Sequence, residues 1–166
     1  MKKIFFSLML LTASLSGLAK GNTLTLRVIE TSDVHGSFFP YDLLDRKPKA
    51  GSMARVSSYV NKLRKQYGKN VLLLDNGDIL QGQPVSYFSN FIDTTETNIA
   101  AQVINYLGYD AETIGNHDVE PGHKVYDQWA AAVKCPVLGA NVINTATGKP
   151  YLKPYTIIER NGCRIA

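Results

Sequence analysis

Three short clusters of aspartate, asparagine and histidine punctuate the chain: Asp33-Val34-His35, Gly77-Asp78 and Gly115-Asn116-His117-Asp118. Carboxylate and amide oxygens are hard donors and imidazole is a borderline one, a mixture that suits Mn, Fe or Zn. Asp33 and His35 come together if the backbone turns at Gly36. Asp78 follows Gly77, which permits a tight backbone approach. Its two oxygens can bridge two cations about 3.5–4 Å apart, as two-metal hydrolysis of a phosphate ester requires. Asn116 offers an oxygen without adding charge. His117 beside it can point elsewhere and act as general acid towards a leaving oxygen, with Asp118 or Glu120 available to fix its tautomer. Taken singly, each cluster also reads as an ordinary polar turn. Their combination is what carries chemistry.

Each cluster follows an apolar run that can deliver it. Residues 24–30 alternate and are rich in Leu, Val, Ile and Thr, which predicts a strand. Residues 71–74 are continuously apolar, as in a strand covered on both faces, and 111–114 form a third short strand. Ser52 caps a helix to Tyr67 with Met53, Val56, Val60, Leu63 and Tyr67 on one stripe, ended by Gly68. Asp93-Thr94-Thr95-Glu96 has capping-box spacing and predicts a second helix through Ile99, Val103 and Leu107. Val125, Trp129 and Val133 mark a third. Residues 136–140 form the next strand, and 155–159 with 163–165 form a hairpin around Arg160-Asn161-Gly162. Strands alternating with helices argue for an α/β fold with a mainly parallel sheet. Ligand loops of such sheets gather at the carboxyl ends of the strands, where all three clusters lie. The long connection 31–50 holds Phe38, Phe39 and Tyr41, which pack it down or present an aromatic platform.

The amino terminus reads as an export signal. Met1-Lys2-Lys3 is basic, residues 4–11 are apolar, and Gly17-Leu18-Ala19 supplies the small residues a signal peptidase reads. Cleavage after Ala19 divides the chain into a signal peptide, 1–19, and a mature part, 20–166, destined for the periplasm or secretion. Without a cysteine after the apolar core a lipoprotein anchor is not expected, and no later segment is long enough to span a bilayer. Losing Lys2 and Lys3 takes the formal charge from +4 to about +2. Lys62, Arg64 and Lys65 share one helix and read as a solvated face rather than a surface for a nucleic-acid polymer. Cys135 and Cys163 lack metal-site spacing; they are a disulfide of an exported protein or two small buried thiols.

Asp33-Val34-His35-Gly36, then 75–84 (Asp-Asn-Gly-Asp-Ile-Leu-Gln-Gly-Gln-Pro), then Gly115-Asn116-His117-Asp118 resemble the calcineurin-like metallophosphoesterases. The Gln81-Gly82-Gln83-Pro84 extension and the export signal resemble the exported 5′-nucleotidase and 2′,3′-cyclic-nucleotide phosphodiesterase branch. The resemblance implies a layered α/β sandwich and two divalent metal ions, Mn, Zn, Fe or similar. It makes Asp33 and His35 ligands of one metal, Asp78 the bridge and Asn116 a ligand of the second. It makes His117 the catalytic histidine, supported by Glu120 three residues on. It implies hydrolysis of nucleotides or cyclic nucleotides by a metal-activated hydroxide. The family pattern continues with further histidines, including a Gly-His-x-His segment, whereas this chain has His35, His117 and His123. His123 is expected to be structural or exposed. The sequence therefore reads as the amino-terminal part of an incomplete catalytic domain, with a missing C-terminal half as its partner. The alternative is a truncated, non-catalytic fragment.

Overall fold

Aliphatic runs set the spine of the molecule. The structure, a computed structural model, describes residues 23–166, so the expected signal peptide lies outside the described residues. Strand β1 (Arg27–Thr31) leads to helix α1 (Met53–Tyr67), β2 (Val71–Asp75), α2 (Ile99–Leu107), β3 (Ala111–Thr113), α3 (His123–Ala132) and β4 (Val137–Leu138). The strands lie side by side in the order β1-β2-β3-β4, every pair parallel. Crossovers between parallel neighbours are right-handed as a rule, which puts successive helices on one face of the sheet. Ile29, Leu73 and Val137 on that face join Met53, Val60, Ile104 and Trp129 in the core. Leu73 and Trp129 are fully buried, so truncating Leu73 to Ala costs about 2–5 kcal/mol. Val71, Leu72 and Leu73 are all buried, as their unbroken apolar run requires. At the sheet edge β1 leaves Val28 59% exposed.

Local chemistry explains where the helices begin. Ser52 caps α1 by accepting from the Arg55 amide. Helix α2 does not start at the expected Asp93 box. Asp93 closes a π-helical turn, Phe88–Ile92, by donating its N–H to the Phe88 carbonyl, and its carboxylate takes the Thr95 hydroxyl. Asn98 caps the helix instead, accepting from Ala100 N at 2.9 Å. The segment before α2, a one-turn helix Pro84–Tyr87 running into that π turn, is absent from the sequence-based expectation. Arg64 is not a solvated cation. Its guanidinium donates to the Leu107 and Gly108 carbonyls and so satisfies the end of α2.

Three short hairpins decorate the sheet. One pairs Tyr41–Asp42 with Lys47–Pro48 inside the long connection. There Phe38 is buried while Phe39 and Tyr41 are exposed. A second pairs Ile143–Asn144 with Lys149–Pro150. The expected terminal hairpin is present, pairing Ile158–Arg160 with Cys163–Ile165. Asn161 and Gly162 both take positive φ at its turn, as a two-residue turn of this hand requires. Its Arg160 pairs with Asp110 at the start of β3. Cys135 and Cys163 are free thiols, and burial pushes that of Cys135 up to about 12. Among the described residues no helix is long and apolar enough to cross a membrane.

Candidate metal centre

The loops after β1, β2 and β3 meet at the carboxyl ends of those strands. Backbone bonds fasten the first two: Asn76 N to Thr31 O (2.8 Å), Asp33 N to Gly77 O (3.0 Å) and His35 N to Asp78 O (2.9 Å). The fully buried Asp118 carboxylate fastens the second to the third. One oxygen accepts from the amides of Asp78 and Gly115, both at 2.8 Å, the other from Ile79 and Leu80 at 2.9 and 2.8 Å. The His117 amide donates to Asp78 Oδ1 at 2.8 Å. Such closeness needs glycine at the crossing. A Cβ on Gly115 would lie 2.2 Å from Asp78 Oδ1, and one on Gly77 would lie 2.5 Å from Gly115 N.

The backbone is strained where the donors sit. Asp33, His35 and Asp78 adopt φ of 53°, 48° and 63°. Among the described residues the other non-glycine positive φ values fall at Arg46 and Asn161. Each such residue costs of order 1–3 kcal/mol and persists where surrounding structure fixes it. Here the amide bonds above do so.

The result is a cluster of donors. One ligand atom from each of His35, Asp78 and His117 lies within 4.8 Å of the others. The two imidazoles stand edge to face with centroids 5.3 Å apart. Asp33 Oδ1 lies 3.9 Å from His35 Nε2 but outside the three-donor group. Asn116 is exposed at the start of the one-turn helix Asn116–Val119. His117 Nδ1 is 2.9 Å from Glu120 Oε1, and Gln81 bonds the other Glu120 oxygen. That pairing raises the His117 pKa, and burial opposes it more weakly. It also leaves Nε2 as the nitrogen available to a ligand. Two imidazoles and a carboxylate, converging from strained loops, fit a divalent cation.

Two acids behind the cluster escaped the sequence reading. Thr31, Asp75 and Glu112 are register partners across β1, β2 and β3, so their side chains share one side of the sheet. Burial pushes the Asp75 carboxyl up to about 6, against hydrogen bonds from Thr31 and Gly77 N. Glu112 is fully buried with both oxygens unpartnered, and desolvation holds its carboxyl well above the usual range. The sequence signal was an acid ending or interrupting an apolar strand. Of the two acids weighed for orienting His117, Glu120 does so and Asp118 does not. His123 is exposed and bonds Asp127 and the Tyr126 hydroxyl, outside the His35–Asp78–His117 group.

Residues 26–161 match the profile of the calcineurin-like phosphoesterases. The chain belongs to this family. It is 34% identical over 156 residues to a 2′,3′-cyclic-nucleotide 2′-phosphodiesterase/3′-nucleotidase of Yersinia enterocolitica, covering 92% of this chain and 23% of that protein. A protein of the same name from Haemophilus influenzae is 31% identical over 160 residues, with 93% and 24% covered. The chain thus spans about a quarter of the length of these curated relatives. Among solved structures, the calcineurin-like phosphoesterase YfkN of Bacillus subtilis superposes with a TM-score of 0.72 at 32% identity, covering 84% of this chain and 45% of that one. The NAD nucleotidase of Haemophilus influenzae gives 0.65 at 30% identity, covering 84% and 25%. These phosphoesterase neighbours share the α/β layering and the mainly parallel sheet.

Proposed function

We propose that this chain carries the metal-binding loops of an exported phosphoesterase that hydrolyses nucleotides and 2′,3′-cyclic nucleotides. The observation that carries the reading is the convergence of His35, Asp78 and His117 within 4.8 Å at the carboxyl edge of the sheet. The names of the relatives supply the substrate class. In this reading residues 1–19 are an export signal, and 20–166 act in the periplasm or outside the cell. Asp33 and His35 would hold one divalent cation and Asn116 a second, with Asp78 shared between the two sites. Bound cations supply Lewis-acid stabilisation to phosphoryl oxygens and a nucleophile at neutral pH.

The chain's own residues handle the leaving group. Glu120 fixes the His117 tautomer through Nδ1 and favours the imidazolium. Gln81 holds Glu120 in place from the neighbouring loop. The Nε2 proton of His117 then goes to the departing oxygen, as general-acid catalysis requires. A second reading, a single bound cation without turnover, is favoured by the donor count: three mutually close donors serve one ion. The test measures phosphate released from AMP and 2′,3′-cyclic AMP with Mn or Zn. Release that is lost in Asp78→Ala supports hydrolysis. Metal binding without release at any metal concentration supports the second reading.

A further inference from the structure

A second group of donors lies outside the His35–Asp78–His117 cluster, where α3 begins. His123 is the first residue of α3, and Tyr126 and Asp127 follow it at i+3 and i+4, so the three share one face. Tyr151 reaches them from just beyond the hairpin that pairs Ile143–Asn144 with Lys149–Pro150. His123 Nδ1 has three oxygen neighbours: the Tyr126 hydroxyl at 2.5 Å, Asp127 Oδ2 at 3.3 Å and the Tyr151 hydroxyl at 3.3 Å. The Tyr151 hydroxyl also donates to Asp127 Oδ1 at 2.8 Å.

Hydrogen bonding does not account for this crowding. An imidazole nitrogen carries one proton or one lone pair, so Nδ1 serves one of its three oxygen neighbours. The Tyr126 hydroxyl has one proton, yet it lies 2.5 Å from Nδ1 and 2.9 Å from Nε2. The spacing is that of ligands around a common ion. Donors bound at about 2.0–2.1 Å stand about 2.9 Å apart in an octahedron and about 3.3 Å apart in a tetrahedron. The side chains of His123 and Asp127 are 71% and 44% exposed, so an ion reaches them from solvent.

The donor types select the ion. Two phenols, a carboxylate and an imidazole make an oxygen-rich, hard set. Phenol oxygens ligate a cation as phenolates, so both phenol protons leave for solvent when the ion binds. With Asp127 this gives three anionic oxygens, which neutralise a trivalent ion. They also outweigh the positive end of the α3 dipole, which alone disfavours a cation there. We propose that His123, Tyr126, Asp127 and Tyr151 form a second metal site, for a hard trivalent cation such as Fe³⁺. An ion held there fastens Tyr151, and the hairpin before it, to α3.

The test titrates the full chain with ferric nitrilotriacetate and reads visible absorbance. Phenolate bound to ferric iron gives a charge-transfer band, and the His35–Asp78–His117 group has no phenol to produce one. The parent is expected to develop the band, and Asp78→Ala to develop it equally. Tyr126→Phe/Tyr151→Phe keeps both rings, including that of Tyr126 in the core. This variant is expected to lose the band with its circular dichroism unchanged. His123→Ala is expected to weaken ferric binding by at least about tenfold, the cost of disturbing even the support of a ligand. No band at any ferric concentration overturns the proposal. A band that persists in the double phenylalanine variant, or unchanged affinity in His123→Ala, overturns it too.

Discussion

Asp118→Asn isolates the carboxylate that knits the second and third loops together. Each Asp118 oxygen accepts two buried amides, from Asp78 and Gly115 on one side and Ile79 and Leu80 on the other. An asparagine keeps one oxygen and turns an NH₂ towards two N–H donors, and flipping the amide only exchanges which pair is lost. The site is fully buried, so water does not replace the missing acceptor. Two hydrogen bonds to a charged group, at about 1.5–3 kcal/mol each, give a loss of about 3–6 kcal/mol. Against a total domain stability of about 5–15 kcal/mol, this leaves the variant marginal. With a slope of about 2 kcal/mol per M of urea, the unfolding midpoint falls by about 2 M. The assay is urea unfolding followed by circular dichroism, with chelator present to remove the contribution of metal. A midpoint within about 0.3 M of the parent at unchanged slope refutes the assignment of Asp118 as the anion that joins the loops.

Three further outcomes follow from the same geometry. Glu120→Gln removes the main cause of the raised His117 pKa; an NMR titration of the His117 ring is expected to move to lower pH, and an unmoved midpoint contradicts the pairing. Because that folded value is raised, the pair stabilises the chain fully below the unfolded value of about 6.5 and stops doing so as pH climbs through the folded value. Asp75→Asn tests the buried acid: its carboxyl is raised to about 6 from 3.8, so native stability falls as pH rises between those values, by up to about 3 kcal/mol. The asparagine variant should gain stability over the parent at pH 8 and match it below pH 4, measured with chelator; an equal difference at both pH values counts against the assignment. Gly115→Ala places a methyl 2.2 Å from Asp78 Oδ1 at an unstrained φ of −90°, so metal affinity is expected to drop at least about tenfold on steric grounds alone, as read by calorimetry; wild-type affinity would show that Asp78 is free to move.

The layered fold was legible because periodicity and strand burial agree. The stripe Met53, Val56, Val60 and the run Val71 to Leu74 each had one reading consistent with burial. The clustered His35, Asp78 and His117 were legible as candidates because each sits in a loop just beyond an apolar run; Asp33 and Asn116, offered by the same pattern, lie outside that three-donor group. What was not legible depends on contacts distant in sequence. Asp118 and Glu120 are equivalent candidates as text, and loop closure alone assigns one to four amides and the other to His117. Arg64 reads as a surface cation until α2 ends against it. The Asp93 box was misleading because its N–H is consumed by the π turn, which has no sequence period of its own. Positive φ at Asp33, His35 and Asp78 was likewise hidden: aspartate and histidine are enriched there among non-glycine residues, but only a few per cent of such residues adopt it, so residue type alone does not say which.

Three loops gather His35 and Asp78 as cation ligands, with the His117 ring within reach of both. Metal content per chain, measured for the parent and for His35→Ala and Asp78→Ala after equilibration with Zn or Mn, tests this arrangement most directly. At least one tightly bound ion is expected in the parent and its loss in both variants, with the fold of each variant intact. A parent that binds none, or variants that bind as the parent does, would contradict it.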